Sequence, residues 1–507
     1  MLKIKRIFFF SLLPLFIVML YGCTSTKDAP SIYSYENTDT FVKPIFGTVM
    51  DKSIAYEGIY RNPVIFIHGF LGSRLTSKVN GANVWGDFSG VEALSGASST
   101  ELRELSFPMK YGTPLREIQD NDNVSGMLTD VEMSVLGVHF KTVAYSKILN
   151  IFSNAGFVFE GKPLPEGKNY YSLFAFHYDW RQDIVVNAAR FHEFVLKKRA
   201  YMQKEYKKVF GIDNYDVQFD LAAHSMGGLL ARYYLRFGNQ ELPTDGSMPI
   251  FDWRGSKNID KVIIIGTPNA GYLDTCLEMI NGLRISPTAE IYPPAVAGTF
   301  ATYYQMMPLL YTRSVLYKDD PNGPPVDIFD PNVWIKMKWG LADPEQDSIL
   351  KIILPDVDTK KERRTIAIDH LSKCLKNAKQ FTDALSLYKK PPEDVLFFLF
   401  FGNALETRRT AMVDRKTGDI NVTGYDTGDG VVTVGSALMD AREGRKWEPF
   451  FISPIPWTSV TPLMTAHMGL TEVETFDNDL SYILLTYTLL HVSDKKKRDI
   501  LTEYGID

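Results

Sequence analysis

Ser225 lies in a stretch whose residue types and order favour nucleophilic catalysis. It is the centre of Ala223-His-Ser-Met-Gly227, which joins an apolar run that predicts a buried strand to a run that predicts a helix. Small residues two positions before and after the serine suit a tight turn in which the strand and helix backbones nearly touch. Glycine is usual at the first of these positions, and alanine is the smallest departure from it. The stretch therefore predicts a nucleophile elbow with Ser225 at its tip.

A serine hydroxyl needs an imidazole to take its proton and a carboxylate to hold that imidazole. Among the eight histidines, His467 falls in a predicted loop between the last strand and the last helix. Asp429 follows the preceding strand between two glycines, and Asp426 is the alternative acid. The order Ser225, Asp429, His467 is that of the α/β-hydrolase fold. We therefore predict these three as the catalytic residues.

An apolar run at residues 63–67, followed by His68-Gly69, predicts a buried parallel strand that enters a loop. In the α/β-hydrolase fold the loop after such a strand supplies one backbone N–H of the oxyanion hole. We expect Phe70 to be this donor, with Leu71 beside it in the pocket, and Met226 to be the second donor. Each such donor is typically worth about 10²–10³ in rate. A plain core strand followed by a glycine turn is the alternative for the first stretch.

Strands and helices alternate through the middle of the chain. Buried strands are predicted at 170–176, 216–223, 261–268, 395–402 and 447–453, with an amphipathic helix after the first of them and a closing helix at 480–490. This alternation predicts a mostly parallel, doubly wound α/β sheet of the α/β-hydrolase type.

The alternation is interrupted from Gly271 to about Pro392, which is too long for one connection. We therefore divide the chain into a signal peptide (1–22), a lipid-anchored tether (23–49), a hydrolase core (50–270 and 393–507) and an inserted cap or lid (271–392). The cap contains methionines and aromatic residues that either face lipid or form its own core. They are Tyr303, Tyr304, Met306, Met307, Trp334 and Trp339.

The N-terminus predicts export and a lipid anchor. Lys3, Lys5 and Arg6 precede an apolar segment at 7–20, which suits a signal peptide and is short for a membrane span. The segment ends in Leu-Tyr-Gly-Cys23, which resembles a bacterial lipobox and implies a lipidated Cys23. We expect a lipoprotein of the cell envelope, on its periplasmic face or in the outer membrane. An uncleaved anchor and ordinary cleavage nearby are the alternatives.

Composition excludes several partners. The net charge of −5 provides no basic surplus for nucleic acid. No Cys-x-x-Cys or His-Glu-x-x-His cluster occurs, so we expect no metal, and we expect no cofactor. Cys276 and Cys374 are the cysteines other than Cys23, and inert buried thiols are favoured over a disulfide between them.

Several stretches together resemble the family of lecithin:cholesterol acyltransferase and lysosomal phospholipase A2. Tyr178-Asp-Trp-Arg181 matches the most distinctive tetrapeptide of that family. The family often has proline where His68 stands, and its elbow is usually Gly-His-Ser-Leu-Gly. The stretches that follow the family's order are 64–73, 178–181, 223–227, 264–271 and 425–433, and then His467.

The resemblance implies an enzyme that moves a fatty-acyl group from a phospholipid or another glycerolipid to water or an alcohol. Its intermediate would be acyl-Ser225, and its substrate would lie at a membrane surface. Tyr178, Asp179, Trp180 and Arg181 would support the pocket, with Asp179 paired to Arg181, unless Trp180 is simply core. A general esterase or neutral-lipid lipase is the near alternative. A surface lipoprotein that binds lipid without turnover is the alternative of another class.

Overall fold

The computed structural model describes residues 43–86, 88–89, 98–120, 122–135, 138–143, 145–284, 291–440, 442, 452–487 and 494–505. The predicted signal peptide, Cys23 and the tether up to residue 42 lie outside these residues. The chain divides into two units, residues 1–52 and 53–507. The helix Lys43–Ala55 begins within the predicted tether. In the described part of the chain, no helix combines the length and the apolar character that crossing a membrane requires.

The strands of the described residues are numbered in chain order. They are β1 (Val64–Ile67), β2 (Ser73–Ser77), β3 (Asn83–Trp85), β4 (Phe88–Ser89), β5 (Asp122–Met127), β6 (Asp130–Val135), β7 (Val138–Val143), β8 (Leu173–Phe176), β9 (Phe219–His224), β10 (Ile259–Ile265), β11 (Leu283–Arg284), β12 (Ile291–Tyr292), β13 (Val315–Tyr317), β14 (Leu396–Gly402), β15 (Leu405–Val413), β16 (Ile420–Gly428) and β17 (Trp457–Leu463).

The α-helices are numbered in the same way. They are α1 (Lys43–Ala55), α2 (Ser99–Leu105), α3 (Ser146–Asn154), α4 (Ile184–Phe210), α5 (Met226–Phe237), α6 (Asp274–Asn281), α7 (Pro294–Ala297), α8 (Ala301–Gln305), α9 (Pro331–Met337), α10 (Asp347–Ile353), α11 (Lys360–Ser386), α12 (Val434–Leu438), α13 (Glu474–Leu485) and α14 (Asp494–Glu503).

A six-stranded parallel sheet forms the centre of the larger unit, in the order β17-β14-β10-β9-β1-β8. The inner strands are continuous apolar runs because both faces of a parallel sheet are covered. Thus β1 and β9 are buried along their whole length. This sheet with its flanking helices is the predicted α/β-hydrolase fold.

The last strand of the sheet is not where the sequence predicted it. Residues 447–451 lie outside the described residues, and Ile452 and Ser453 are not in a strand. The strand that pairs with β14 is β17, whose residues are mostly half-buried or exposed. It contains Pro462, which is tolerated because an edge strand has one side without a neighbour. A search for apolar runs misses such a strand.

The strand order reverses direction between β1 and β9. From β1 the main sheet continues to β8 on one side, and from β9 it continues to β10 on the other side. Loops that leave such a switch point in opposite directions open a crevice at the carboxyl ends of the strands, where ligands of α/β proteins bind. His68 follows β1 and Ser225 follows β9, so the predicted oxyanion loop and nucleophile meet at this crevice.

The six residues of the predicted cap that could face lipid or form a core are buried. Each is no more than 2% exposed, which favours the core alternative, and they belong to the same apolar cluster as the central sheet. They are Tyr303, Tyr304, Met306, Met307, Trp334 and Trp339. Cys276 and Cys374 are both buried and unpaired, as favoured from the sequence.

Two contacts fasten the predicted cap to the core helices. At the start of α4, the Asp183 carboxylate accepts hydrogen bonds from Gln305 Nε2 at 2.6 Å and Asn377 Nδ2 at 2.8 Å. At the C-terminal end of α11, the Leu385 carbonyl accepts from the buried guanidinium groups of Arg232 and Arg236 on α5. Carbonyls at a helix C-terminus favour cations, which offsets the burial of these two charges.

Candidate active site

The backbone at Ser225 has the strained conformation of a nucleophile elbow. Its φ of 52° and ψ of −127° are unusual for a residue with a side chain. The strain is held from both sides, because the Ser225 N–H donates to the Ile265 carbonyl at 2.7 Å. The Ser225 carbonyl in turn accepts from the Thr267 hydroxyl at 2.8 Å. β10 therefore anchors the turn that presents the Ser225 side chain.

Glycines allow the oxyanion loop to touch this turn. A Cβ on Gly227 would lie 2.5 Å from the His68 carbonyl oxygen, and one on Gly69 would lie 2.8 Å from Ser225 Cβ. Such approaches exclude any side chain at either position. The small residue at Ala223 is fully buried within β9, where it pairs with Ile67 of β1. The elbow thus meets the spatial demand that its sequence pattern predicts.

His467 connects Ser225 to Asp429 through two hydrogen bonds. Its Nδ1 lies 2.7 Å from Asp429 Oδ2, and its Nε2 lies 3.0 Å from Ser225 Oγ. A carboxylate accepts only, so Nδ1 carries the proton and Nε2 of the neutral ring accepts from the serine hydroxyl. The His467 backbone N–H also donates to the Asp429 carbonyl at 2.9 Å. This is the proton-transfer arrangement of a serine nucleophile with its base and acid.

Asp429 is held as a carboxylate although it is only 2% exposed. Burial by itself would raise its pKa, but the adjacent His467 ring and hydrogen bonds from His467, Val432 and Val431 lower the pKa below its ordinary value. The N–H groups of Val431 and Val432 donate to Oδ1 at 2.9 and 2.7 Å, which leaves Oδ2 for His467. The carboxylate is therefore charged and oriented at neutral pH.

Asp426, the alternative acid, lies away from this hydrogen-bonded chain. It is an exposed residue of β16. Its Oδ2 is 3.6 Å from Arg409 Nε, and its Oδ1 accepts from the Thr427 N–H. The geometry favours Asp429 over Asp426 as the partner of His467.

The two predicted oxyanion donors have N–H groups that are available to a substrate. Met226 is the first residue of α5, and the first N–H groups of a helix have no intrahelical acceptor. Among the described residues, the Phe70 N–H has no hydrogen-bond acceptor either. Next in the loop, Leu71 has a φ of 62°, and its carbonyl accepts from Trp85 Nε1 at 3.0 Å. The contact of Gly69 with Ser225 brings this loop to the nucleophile.

His68 fixes the direction of the Phe70 N–H. The Gly69 carbonyl belongs to the same peptide group as that N–H, and it lies 2.8 Å from His68 Nδ1. It also accepts from the Gly72 N–H at 3.2 Å. Because a trans peptide is planar, holding the carbonyl on one side holds the N–H on the other. Burial lowers the His68 pKa to about 3, so the ring is neutral and its Nδ1–H donates to the carbonyl.

The tetrapeptide Tyr178–Arg181 lies under the oxyanion loop. The Tyr178 ring stacks on His68 at 4.3 Å, and its hydroxyl donates to the His68 carbonyl at 2.7 Å. Trp180 is fully buried and its ring packs edge-on against Phe70 at 4.9 Å. Arg181 pairs with Asp179 at 2.8 Å, as predicted. Tyr178 and Trp180 thus contact the loop and Asp179 pairs with Arg181, an arrangement that the sequence pattern alone could not indicate.

Tyr145 is part of the site although nothing in the sequence distinguishes it. Its hydroxyl accepts from the Gly69 N–H at 2.8 Å and lies 3.0 Å from His224 Nδ1. It follows β7, a strand outside the main sheet. A motif search cannot detect a residue that reaches the site from such a distant part of the chain.

Part of the chain is similar to a known protein family. Residues 167–341 match the family model described as lecithin:cholesterol acyltransferase. This part of the chain is similar to that family. The match to the lecithin:cholesterol acyltransferase model includes Tyr178–Arg181 and Ser225, while Asp429 and His467 lie beyond it. No curated protein sequence matches the chain.

A solved structure shares the fold. The Tle4–Tli4 complex aligns with a TM-score of 0.52 at 14% identity, over 85% of this chain and 99% of the matched chain. Bacillus licheniformis lipase BlEst2 in its mature form aligns over 85% of this chain and 94% of its own at 11% identity, and its TM-score of 0.30 is too low to support an argument. The similarity of residues 167–341 to the lecithin:cholesterol acyltransferase family supports an enzyme that hydrolyses or transfers acyl esters.

Proposed function

We propose that the protein is a serine acylhydrolase or acyltransferase that acts on phospholipids or other glycerolipids through an acyl-Ser225 intermediate. The observation that carries this proposal is the hydrogen-bonded chain from Asp429 through His467 to Ser225 at the switch point of the sheet. No other described arrangement in the molecule couples a strained serine to a base and an acid. Phe70 and Met226 complete the site as backbone donors.

The first half-reaction breaks the ester of the lipid. Ser225 Oγ attacks the ester carbonyl carbon while His467 Nε2 takes the hydroxyl proton. Negative charge develops on the carbonyl oxygen, where the N–H groups of Phe70 and Met226 stabilise it. When the tetrahedral intermediate collapses, the bond to the alcohol part of the lipid breaks and His467 returns the proton to that alcohol. The fatty-acyl group remains on Ser225 as an ester.

The second half-reaction repeats these steps with a new nucleophile. Water or an acceptor alcohol gives its proton to His467 and attacks the acyl carbon, and the Ser225 oxygen leaves with that proton. Water yields a fatty acid, and an alcohol yields a new ester. Hydrolysis and transfer therefore use the same residues, and the outcome depends on how well an acceptor site excludes water.

Exposed apolar side chains beside the site support a lipid substrate. Met464 is 77% exposed and Met468 is 47% exposed, on either side of His467 in the chain. Leu405 is also exposed, and it pairs with the residue that precedes Asp429. Flexible methionines adapt to irregular apolar partners such as acyl chains. We infer that this rim rests on the lipid surface from which the substrate is taken.

We also propose that the protein works at a membrane to which its own N-terminus is attached. The signal-like segment and Cys23 support lipid anchoring, and two or more lipid chains make anchoring stable. An anchored enzyme would meet its glycerolipid substrate in the same envelope membrane. We expect no nucleic acid partner.

The decisive experiment incubates the purified protein with phosphatidylcholine vesicles that contain a lipophilic alcohol or a sterol, and identifies the products by mass. Ser225→Ala is the matched control. An acylated alcohol that depends on Ser225 would indicate an acyltransferase, and lysolipid with free fatty acid alone would indicate a phospholipase. If Ser225→Ala forms the same products at the same rate, the serine mechanism is wrong. If neither protein forms products, a panel of simpler esters tests the general esterase instead.

A further inference from the structure

Gly69 and His467 lie on separate loops of the site, one after β1 and one after β17. Between them are two buried side chains with no role in the proton transfer described above. Tyr145 is 3% exposed and His224 is 2% exposed. The Gly69 N–H donates to the Tyr145 hydroxyl at 2.8 Å, and that hydroxyl lies 3.0 Å from His224 Nδ1.

The bridge continues from His224 to the base. The ring centroids of His224 and His467 are 5.1 Å apart, so the two imidazoles pack against each other. The Tyr145 hydroxyl already accepts from Gly69, so its own proton is directed to His224 Nδ1. A neutral imidazole that accepts at Nδ1 carries its proton on Nε2. Hydrogen bonds therefore join Gly69, Tyr145 and His224, and ring packing joins His224 to His467.

Both side chains remain neutral while the enzyme works. Burial raises the pKa of Tyr145 above its ordinary value. Burial and the neighbouring His467 lower the pKa of His224 to about 3. Because neither side chain carries charge at neutral pH, the bridge does not compete with Asp429 for the imidazolium that forms on His467 during catalysis. It can hold the two loops without altering the electrostatics of proton transfer.

We propose that Tyr145 and His224 are positioning residues that fix the oxyanion donor Phe70 and the base His467 relative to each other across Ser225. This inference rests on the proposed serine mechanism. Tyr145 holds the N–H side of Gly69, and His68 holds its carbonyl. With both sides of Gly69 fixed, the direction of the Phe70 N–H is set before substrate binds, which is the preorganisation that oxyanion stabilisation requires.

The position of the Tyr145 ring explains how its hydroxyl reaches Gly69 and His224. Its ring packs edge-on against Phe66 of β1 at 5.4 Å, so it is held by the strand that leads into the oxyanion loop. A Cβ on Gly69 would lie 3.2 Å from the Tyr145 hydroxyl oxygen. The hydroxyl therefore lies close to the Gly69 backbone and within hydrogen-bond distance of His224 Nδ1.

The test compares Tyr145→Phe with wild type on p-nitrophenyl butyrate, a soluble ester. A misplaced donor is expected to lower kcat by about 10- to 100-fold, less than the loss of the donor itself, with KM within about twofold. A second readout is inhibition by an aryl boronic acid, whose tetrahedral adduct on Ser225 places a negative oxygen in the oxyanion hole. Its inhibition constant should rise by about the factor by which kcat falls. Loss of a residue that only stabilises the fold would not change kcat and the inhibition constant by the same factor.

A matched control and a second variant separate the outcomes. Tyr233→Phe removes a tyrosine hydroxyl elsewhere, one that donates to the Gln240 carbonyl at 2.9 Å, and it should leave both quantities unchanged. His224→Gln should show a similar loss, and the double variant with Tyr145→Phe should lose no more than the worse single variant, because both break one bridge. If Tyr145→Phe does not fold, His224→Gln carries the test.

The experiments distinguish an error in the proposed bridge from an error in the proposed serine mechanism. Normal kcat and boronate inhibition in Tyr145→Phe and His224→Gln, with activity abolished in Ser225→Ala, would overturn the bridge alone. Activity retained in Ser225→Ala would instead overturn the proposed mechanism.

Discussion

Gly402, the last residue of β14, lies directly against Asp429. A Cβ on Gly402 would be 2.5 Å from the Cβ of Asp429 and 2.8 Å from the carbonyl oxygen of Thr465. Thr465 stands two residues before His467, so the loops of the acid and of the base both pack on the bare backbone at the end of this strand. The central sheet thereby sets the distance between Asp429 and His467.

Gly402→Ala should separate the acid from the base. The added methyl group must displace Asp429 or the loop of His467, and a shift near 1 Å in a catalytic group costs on the order of 100-fold in kcat. We expect this loss on a soluble ester, together with a destabilisation of about 1–3 kcal/mol from overpacking, measured by urea unfolding. Gly424→Ala is the control, since its nearest contact would be Thr410 Cβ at 3.3 Å. Wild-type kcat in Gly402→Ala would contradict the argument.

The identity of the acid can be tested by a pair of matched substitutions. Asp429→Asn removes the charge that holds His467 in its tautomer and should lower kcat by about 10⁴-fold. Asp426→Asn makes the same chemical change three positions away, at an exposed carboxylate of β16, and should change kcat by less than about twofold. The reverse ranking in steady-state kinetics would make Asp426 the acid.

The sequence predicted Ser225, Asp429 and His467 as a set because their order and local residue types are tied to the fold. The structure joins them by hydrogen bonds. Tyr145 could not be predicted in the same way, since its place depends on the tertiary contact of its hydroxyl with Gly69 of the oxyanion loop. Tyr178 was singled out by a motif, but its stacking on His68 follows only from the structure.

Arg181 should be a large contributor to stability because it shares its charge with two carboxylates. It is fully buried and pairs with Asp179 and Asp120. Arg181→Met removes the cation and should lower the free energy of unfolding by about 3–5 kcal/mol. Arg254→Met, which breaks a surface pair with Asp252, should cost no more than about 1 kcal/mol. Equal effects in urea unfolding would contradict this role.

The effect of Arg181→Met should depend on pH. Burial would raise the Asp179 pKa, but Arg181 and its hydrogen bonds lower the pKa below the ordinary value. A carboxyl whose pKa is lower in the folded state stabilises the fold above its unfolded pKa of about 4, and this contribution is lost as pH falls through the folded pKa. The difference between wild type and Arg181→Met should therefore be full at pH 7 and decrease in acid. A difference that grows as the pH falls would have the wrong sign.

The cap and the last strand show where sequence patterns are insufficient. A sequence cannot show whether apolar residues such as Trp334 and Met306 face lipid or pack in a core, because both environments favour the same residue types. In the structure both side chains are buried in the core. β17 was missed because half-exposed edge strands lack the apolar run that identifies inner strands. The inner strands β1, β9, β10 and β14 were predictable since burial on both faces leaves a continuous apolar signal.

Cys23→Ser tests the proposed lipid anchor. If Cys23 is lipidated, its replacement should move the protein from the membrane fraction to the soluble fraction and change its mobility on a gel, because the lipid chains are lost. Thr24→Ser, a substitution beside the modified residue, serves as the control and should fractionate as wild type. Unchanged fractionation and mobility of Cys23→Ser would reject lipidation. The activity of the purified protein on a soluble ester is expected to be the same in both variants.

Met464 and Met468 should determine how well the enzyme works on a lipid surface. Each buried methionine side chain is worth about 1.5–3 kcal/mol on transfer from water, and an aspartate cannot replace it. For the double variant Met464→Asp/Met468→Asp, we expect the ratio of turnover on phosphatidylcholine vesicles to turnover on a soluble ester to fall at least about tenfold. Sedimentation with vesicles should weaken in parallel.

The control for the methionine pair is Ile250→Asp. Ile250 is 66% exposed and lies beyond the C-terminal end of α5, where its carbonyl accepts from Gln240. α5 has twelve residues and starts at the nucleophile, so at 1.5 Å per residue its far end is about 18 Å from Ser225. An apolar side chain there should not touch the lipid that supplies the site, and the ratio should stay at the wild-type value. If Ile250→Asp lowers the ratio as much as the methionine pair does, the added charge and not the rim around His467 controls activity on vesicles.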